Sequence, residues 1–401
     1  MNVLNSIQNQ NGLPRYFSSI FRQLSNIHTG RILITLPDNR IFDLSGNSSG
    51  PCGELIIHNT DLFARILREG NLGFAEAYLD RWWSTPDLQQ LLDVLLANRD
   101  VVDRSAPGSS VARIIEQARH RLRSNSKRQA IKNIYHHYDL GEAFFNKWLD
   151  ETMSYSSGHF ITGKEDLPTA QYQKLQLMCQ ALDLKEGDHL LDIGCGWGAF
   201  ALYAARRGAR VTGLTISKDH FEYCTKLMKK EGVSQQVEIV LRDYRDETGS
   251  YDCIGSIEMI EHVGEKYWPD YFHTIRNCLK PGATATVQAI TIADNLFTGY
   301  QRNVDFIRKH VFPGGMLPCP KAINHNINAA GLTRVSTFDL TQSYSTTLRM
   351  WHQAFLDRWD EIQALGFDRR FKRMWSWYLA ISASGHHYGS TAVSQFSMRR
   401  P

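Results

Sequence analysis

The sequence predicts an α/β protein built around a doubly wound, Rossmann-like parallel sheet, with a small α+β domain in front of it. Strands alternate with helices between residues 189 and 290, and the first of these strands runs into a glycine-rich turn. Before residue 100 the pattern instead mixes short strands with apolar helical spacing. A chain of 401 residues is long enough for both domains.

The front domain is predicted to cover residues 1–100. Strands are expected at 31–36 and 54–58, and the leucine spacing between Leu88 and Leu96 predicts a helix. Residues 101–130 are polar around Pro107 and Gly108, which indicates a linker that runs into a basic helix.

The basic segment of this linker has two interpretations. Seven basic residues and one acid lie between Arg113 and Lys132. Near a membrane each basic residue would contribute about 1 kcal/mol of attraction to anionic head groups. The same pattern is also typical of a solvated helical face, and both interpretations stay open.

The second domain is predicted to cover residues 131–401. Its strands are expected at 189–193, 210–214, 237–241, 251–257 and 283–290, with helices at 200–207, 220–231 and 268–279. The last hundred residues are rich in aromatics and are expected to form a largely helical insertion over the ligand crevice. In such a fold that crevice lies at the carboxyl ends of the strands.

Composition indicates the cellular compartment and the kinds of partner to expect. The seven cysteines form no CxxC pair and no metal-ligand cluster, which favours a reduced, cytoplasmic protein without a metal. No apolar run approaches the roughly 18 residues that span a bilayer, so contact with lipid would be peripheral. The net charge of +4 neither demands nor excludes nucleic acid, and we expect no nucleic-acid partner.

The glycine-rich turn indicates the cofactor. Gly194, Gly196 and Gly198 follow the strand at 189–193, and a dinucleotide-binding fold would use the same turn. Such a fold needs an acid about 20 positions further on, and the next strand ends without one. Asp192 inside the motif and Asp243 after a later strand favour S-adenosylmethionine over NAD.

Motifs along the whole second domain resemble those of cyclopropane fatty acid synthases and follow the order of that family. They are HYDLG at 137–141, MSYSS at 153–157, GLTIS at 213–217, IEMIEHVG at 257–264, DFI at 305–307, VFPGGMLP at 311–318, TLRMW at 347–351 and FKRMW at 371–375. This resemblance implies a class I methyltransferase fold. It also extends the predicted cofactor site to Tyr155, Ser156, Asp192, Gly194, Gly196, Gly198, Thr215, Ser217, His220, Asp243 and Tyr244.

The front of the chain resembles the full-length, phospholipid branch of the family. The strings GNLGFAEAYLD at 70–80 and RWW at 81–83 are similar to the N-terminal domain of bacterial and plant relatives. The resemblance implies that residues 1–100 engage lipid or support a homodimer. The implied substrate is an unsaturated phospholipid, reached peripherally at the inner face of the membrane.

The implied reaction is methylene transfer from S-adenosylmethionine to a cis double bond of an acyl chain. Positive charge then develops on the chain, and aromatic faces can stabilise it through cation–π contact. The candidate aromatics are Trp351, Phe355, Trp359, Trp375, Trp377 and Tyr378. A plain aromatic core would give the same spacing.

Ring closure needs a base, and the resemblance implies a bound bicarbonate. The family holds it with a cysteine, a glutamate, a histidine, an isoleucine backbone group and a tyrosine. The matching positions in this sequence are Ser157, Glu261, Gln288, Ile290 and Tyr344. Serine replaces cysteine and glutamine replaces histidine, and both can still hydrogen-bond to bicarbonate, which therefore stays the expected base.

Smaller departures and other functions remain open. His220 stands where relatives often carry glutamine, Cys319 where serine is usual, and His262 is expected to be packed rather than catalytic. A base placed differently would give a methyl-branched or methylene fatty acid instead of a ring. A small-molecule N-methyltransferase, a noncatalytic lipid-binding protein and a dehydrogenase are the remaining alternatives.

Overall fold

The computed structural model describes residues 3–105, 127, 129 and 140–401. These residues form two compact units. The first contains the described residues up to 105 together with Gly299–Val311 and Gly366–Tyr388, and the second contains the rest. Most of the predicted basic linker and of the HYDLG motif lies outside the described residues.

The helices and strands are numbered in chain order. The α-helices are α1 Phe17–Leu24, α2 Leu62–Leu79, α3 Leu88–Ala97, α4 Arg99–Ser105, α5 Gly141–Phe145, α6 Leu167–Ala181, α7 Ala199–Ala205, α8 Lys218–Lys230, α9 Trp268–Cys278, α10 Asp294–Arg302, α11 Phe306–His310, α12 Pro320–Ala329, α13 Thr341–Asp357, α14 Trp359–Ala364 and α15 Arg369–His387. The strands are β1 Val3–Leu4, β2 Thr29–Thr35, β3 Ile41–Ser45, β4 Ser48–Ile57, β5 Trp83–Ser84, β6 His189–Ile193, β7 Arg210–Thr215, β8 Val237–Leu241, β9 Tyr251–Ile257, β10 Leu279–Ile292, β11 Thr333–Asp339 and β12 Thr391–Arg399.

The first unit is built on a five-stranded mixed sheet in the order β1-β3-β2-β4-β5. Its central strand β2 alternates buried Ile32 and Ile34 with more exposed neighbours, as a half-buried strand requires. Helix α3 packs on β4, and its N-cap Asp87 accepts a hydrogen bond from the backbone N–H of Gln90 at 3.0 Å. The two strands and the helix predicted before residue 100 are confirmed.

The first unit also takes in a helix from the far end of the chain. Helix α15 packs on α2 and α3. On it, Trp377 lies 5.7 Å from Tyr78 and 6.0 Å from Trp83 between ring centroids. The predicted division into 1–100, 101–130 and 131–401 places α15 in the second domain, whereas the aromatic face of α15 packs within the first unit.

The second unit is built on a seven-stranded sheet in the order β11-β12-β10-β9-β6-β7-β8. The run from β10 to β8 is parallel, and the predicted strands coincide with β6 to β10 within a few residues. Strands β11 and β12 extend the sheet antiparallel, where a helical region is predicted. Sequence reasoning misses β11 because all seven of its residues are exposed and show no alternation.

Small side chains let the helices approach this sheet closely. Ala201 and Ala204 of α7 are fully buried against Leu190 of β6 and Val211 of β7. Because β6 to β9 run parallel, their carboxyl ends meet along one edge and form the crevice that this type of sheet uses for ligands. Within the described part of the chain, no helix combines the length and apolarity needed to cross a bilayer.

Candidate active site

The glycine turn after β6 leaves room for a ligand at one of its three glycines. All three have positive φ, with values of 81° at Gly194, 52° at Gly196 and 88° at Gly198. A Cβ on Gly194 would lie 2.7 Å from Met259 Cγ, and one on Gly198 would lie 2.9 Å from Cys224 Sγ. A Cβ on Gly196 would meet no described heavy atom within 4 Å. Gly196 is therefore the open position of the turn.

The predicted cofactor residues come together in one cleft of about 1220 Å³, its open mouth included. Gly198 is the exception, because its position is enclosed by α8. The predicted residues in the cleft walls are Tyr155, Ser156, Asp192, Gly194, Gly196, Thr215, Ser217, His220, Asp243 and Tyr244. Four separate segments of the chain thus supply one site.

Asp192 has the properties of a ligand acceptor. It is 2% exposed, and its Oδ2 atom has no hydrogen-bond partner among the described residues. Burial raises the pKa of Asp192 to about 7, with an opposing effect from the Lys174 charge. An unsatisfied buried carboxylate oxygen in the cleft wall fits a ligand that brings hydroxyl or amine donors, as S-adenosylmethionine does.

Neighbouring side chains shape the cleft in different ways. Burial lowers the pKa of His220 to about 3, so its ring is neutral, and it packs 4.4 Å from the Trp197 ring. Asp243, expected to receive an exocyclic amine, already accepts hydrogen bonds from Arg245 Nε at 2.8 Å and Nη2 at 2.6 Å. Burial alone would raise the pKa of Asp243, but the Arg245 contacts outweigh burial and lower it. A carboxylate with four lone-pair sites keeps capacity for a further donor.

Lys174 is a buried cation that sequence reasoning missed. Its Nζ donates to Ser156 Oγ at 2.8 Å, and the residue is 1% exposed. Burial lowers the pKa of Lys174 to about 8, opposed by the negative charges of Glu258, Asp150 and Asp192. The available signal was its place on the apolar face of α6, beside Gln171 and Leu175.

The residues expected to hold bicarbonate are gathered around a glutamate that the sequence analysis did not single out. The backbone N–H of Ser157 donates to Glu258 Oε1 at 2.9 Å, and Gln288 Nε2 donates to the same oxygen at 2.8 Å. Tyr344 also hydrogen-bonds to Glu258. The available signal was the IEMIE string, which places two acids three positions apart directly after a buried strand.

The second acid of that string takes the remaining predicted contact. Glu261 Oε1 accepts the backbone N–H of Ile290, while its Oε2 has no hydrogen-bond partner in the described part of the chain. Burial, and then the Glu258 charge, raise the pKa of Glu261 to about 8. His262 beside it packs 5.1 Å from the Phe312 ring, as expected for a packed histidine.

An aromatic cluster adjoins these acids. The ring of Trp351 lies 5.4 Å from Tyr155, 5.7 Å from Trp148 and 6.0 Å from Tyr344. Phe355 and Trp359 also belong to the second unit. The other three candidate aromatics, Trp375, Trp377 and Tyr378, belong to the first unit, where α15 packs on α2 and α3, and they are not among the residues that line the cleft.

A family model described as mycolic acid cyclopropane synthetase matches residues 125–396. The chain belongs to this family. Relatives in the family are methyltransferases or cyclopropane synthases. This chain is a methyltransferase that uses S-adenosylmethionine and acts on lipids.

Two relatives in this family match most of the chain. Tuberculostearic acid methyltransferase of Mycobacterium tuberculosis is 36% identical over 357 residues, which is 86% of this chain and 83% of that protein. Cyclopropane-fatty-acyl-phospholipid synthase of Escherichia coli is 34% identical over 339 residues, 84% of this chain and 85% of that protein. Both matches extend beyond residues 125–396 into the first unit, as the resemblance to the phospholipid branch implies.

Solved structures support the methyltransferase fold. The cyclopropane synthase MmaA2 from Mycobacterium tuberculosis is 28% identical, with a TM-score of 0.64, and the match covers 67% of this chain and 98% of that one. A coclaurine N-methyltransferase bound to S-adenosylhomocysteine has the same TM-score of 0.64 at 19% identity, covering 81% of this chain and 98% of that one. At that identity the second likeness concerns the fold alone.

Proposed function

We propose that the protein transfers a methylene group from S-adenosylmethionine to a cis double bond of a phospholipid acyl chain and closes a cyclopropane ring. One observation carries the proposal. The cleft that gathers the cofactor residues also contains Tyr155 of the aromatic cluster and the buried acid Glu258. The predicted cofactor residues, an aromatic ring and a buried acid thereby lie in one cleft of the second unit. The Escherichia coli relative, named for this activity, supports it.

The chemistry explains why such a site is needed. An isolated alkene is a poor nucleophile, and S-adenosylmethionine supplies a methyl group activated by a sulfonium. The site must therefore bring the two together in a close and dry encounter rather than activate the alkene with acid or base. Tyr155 lines the cleft, and the Trp351 ring packs 5.4 Å from it, so these rings are candidates to stabilise the positive charge that develops on the acyl chain.

A second candidate keeps the substrate and changes the product. A hydride shift from the methylated carbon to the neighbouring cation, followed by loss of a proton from the new methyl, gives an exomethylene acyl chain. The relative named tuberculostearic acid methyltransferase supports this candidate, and the two departures from the family pattern, Ser157 and Gln288, lie beside Glu258 where the expected base would be held. The two candidates share every step up to the first carbocation.

We propose further that the substrate is reached at the inner face of the cytoplasmic membrane by a peripheral, dimeric enzyme. The seven basic residues between Arg113 and Lys132 supply the attraction for anionic head groups, and two copies would gain avidity from two such segments. Vesicle flotation should show binding to anionic phospholipid that weakens as salt rises. Equal binding to neutral and anionic vesicles would contradict the electrostatic part, and a monomer in light scattering would contradict the dimer.

The product is identified in lipids of a bacterium that lacks its own synthase, expresses this chain and is fed methyl-labelled methionine. We expect a mass gain of one CH₂ per unsaturated chain together with upfield ring protons in the NMR spectrum. The same gain with an exomethylene or branched-methyl signal would establish the second candidate. Absence of label from lipid would contradict both.

A further inference from the structure

Glu258 holds a backbone conformation that a side chain rarely adopts. It directly follows β9, has φ of 50°, and lines the cleft. Positive φ is unfavourable for residues that carry a Cβ, and such strain persists mainly where the surroundings require it. The carboxylate rather than the backbone is therefore the feature that this position supplies.

The carboxylate receives the contacts that the family resemblance assigns to bicarbonate. Both are planar oxyanions, and Glu258 Oε1 accepts the Ser157 backbone N–H at 2.9 Å and Gln288 Nε2 at 2.8 Å. Tyr344, which is also expected to hold bicarbonate, hydrogen-bonds to Glu258 as well. These three groups are already engaged by a protein side chain, so a bicarbonate ion does not fit the same contacts.

Gln288 is fixed in the orientation that presents its amide N–H₂ to Glu258. It lies opposite Gln395 in the β10–β12 pairing, and Gln395 Nε2 donates to Gln288 Oε1 at 3.0 Å. A flipped Gln288 amide would set donor against donor and acceptor against acceptor. The β12 strand thus acts through Gln288 to keep a donor on Glu258.

We infer that the carboxylate of Glu258, rather than a bound bicarbonate, takes the proton that leaves after methyl transfer. This inference rests on the proposed function and names the acceptor within it. In ring closure a C–H bond of the new methyl breaks, its electron pair forms the C–C bond to the cationic carbon, and the proton passes to Glu258. The carboxylic acid then returns the proton to solvent. In the exomethylene route the same acceptor takes a proton from the methyl group after the hydride shift.

The neighbouring charges divide the roles of the two acids. Burial raises the pKa of Glu258, whereas the two N–H donors on Oε1 and the nearby Lys174 charge oppose that shift and favour the ionised form. Glu261 has one backbone donor, and its Oε2 has no partner among described residues. Burial, and then the negative charge of Glu258, raise the pKa of Glu261 to about 8, which favours its protonated form at neutral pH. Glu258 is therefore the base, and Glu261 is a neutral neighbour held by Ile290.

The test measures transfer of labelled methyl to unsaturated phospholipid vesicles by the full chain, in CO₂-free buffer and with added bicarbonate. Wild-type protein is expected to have the same rate in both. Glu258→Gln removes the basic oxygen at nearly constant shape, and the rate should fall by about 10²-fold or more, the usual contribution of a positioned base. Asp252→Asn, at the opposite end of β9 and paired with Lys280 at 2.6 Å, is the matched carboxylate control and should keep the wild-type rate.

Glu258→Gly gives a second readout that does not depend on a folding defect. Glycine suits the positive φ, and its missing side chain frees the Ser157 and Gln288 donors for an ion from solvent. This variant should become bicarbonate-dependent and should broaden the ¹³C-bicarbonate NMR line, which wild-type protein should leave unchanged. Wild-type activity that requires bicarbonate would overturn the inference and leave the proposed function standing. Wild-type protein that labels no lipid in either buffer would overturn both.

Discussion

Gly196→Ala is expected to weaken cofactor binding far more than it weakens the fold. Gly196 lines the cleft, has φ of 52°, and an added Cβ would meet no described heavy atom within 4 Å. Gly232 provides the matched control, since it has φ of 73°, meets no described heavy atom within 4 Å of an added Cβ, and follows α8 outside the cleft walls. The two substitutions impose the same backbone strain and differ in whether a ligand lies beyond the Cβ.

The magnitudes separate the two variants. Left-handed backbone with a Cβ costs about 1–2 kcal/mol, so both variants should lose a similar few degrees of thermal stability. Overpacking by one methyl costs about 1–3 kcal/mol, which corresponds to about a 5- to 150-fold rise in the Kd for S-adenosylmethionine. Only Gly196→Ala should show this rise.

The assay is isothermal titration calorimetry with S-adenosylmethionine, paired with thermal denaturation of each apo variant. A Kd for Gly196→Ala within twofold of that for Gly232→Ala would refute the reasoning. Gly196 would then serve only the geometry of the turn, and the cofactor would approach the protein elsewhere.

Three other substitutions test the buried charges and the aromatic cluster. Lys174→Met leaves the buried carboxylates of Glu258, Asp150 and Asp192 without the nearby cation, and should lower the free energy of unfolding of the second unit by about 3–5 kcal/mol in urea denaturation. A decrease below about 1 kcal/mol would contradict these interactions. Because burial raises the pKa of Asp192 to about 7, the carboxylate accepts less well below that pH, and the Kd for S-adenosylmethionine should rise as pH falls from about 8 to 6, by up to about tenfold per unit. The Asp192→Asn variant should bind S-adenosylmethionine weakly at every pH. If its Kd still rose as pH falls, the pH dependence would belong to another group. Trp351→Leu should lower kcat about tenfold through lost cation–π contact while the cofactor Kd holds, and Trp268→Leu, which removes a buried ring of α9, is the control for a lost core ring.

The parallel part of the sheet is predictable because its signals are local. Each strand from β6 to β9 is a short apolar run that ends in a turn, and the helices between them have ordinary lengths. β11 carries no such signal, since its stability comes from pairing with β12 rather than from an apolar face of its own. A pairing between segments more than fifty residues apart leaves no periodicity in either of them.

The extent of the first unit is hidden for a related reason. α15 has an aromatic face, and aromatic spacing indicates burial without indicating the surface that provides it. Trp377 packs on Phe74, Tyr78 and Trp83, which lie about three hundred residues earlier in the chain. Only the three-dimensional structure shows that the aromatic face of α15 is part of the first unit.

The cofactor residues and the proton acceptor differ in predictability for the same physical reason. Asp192 and the glycines belong to one contiguous motif whose chemistry follows from its own spacing. The importance of Glu258 depends on partners 101 positions before it at Ser157 and 30 positions after it at Gln288. Its burial and its donors exist only once β9, β10 and the MSYSS segment are brought together.

Serine at position 157 and glutamine at position 288, the two departures from the family pattern, are both consistent with Glu258 in place of a bound bicarbonate. A bicarbonate ion must be drawn from solvent and held by several donors, whereas a side-chain carboxylate is always present in the site. The cost is burial of a charge, which raises the pKa of Glu258, and the donors on its carboxylate oppose that shift. A glutamine at 288 is suited to that task, because its amide stays neutral at every pH and is oriented by Gln395. At position 157 the contact comes from the backbone N–H, which every residue type except proline carries, so replacement of the family cysteine by serine removes nothing that Glu258 requires.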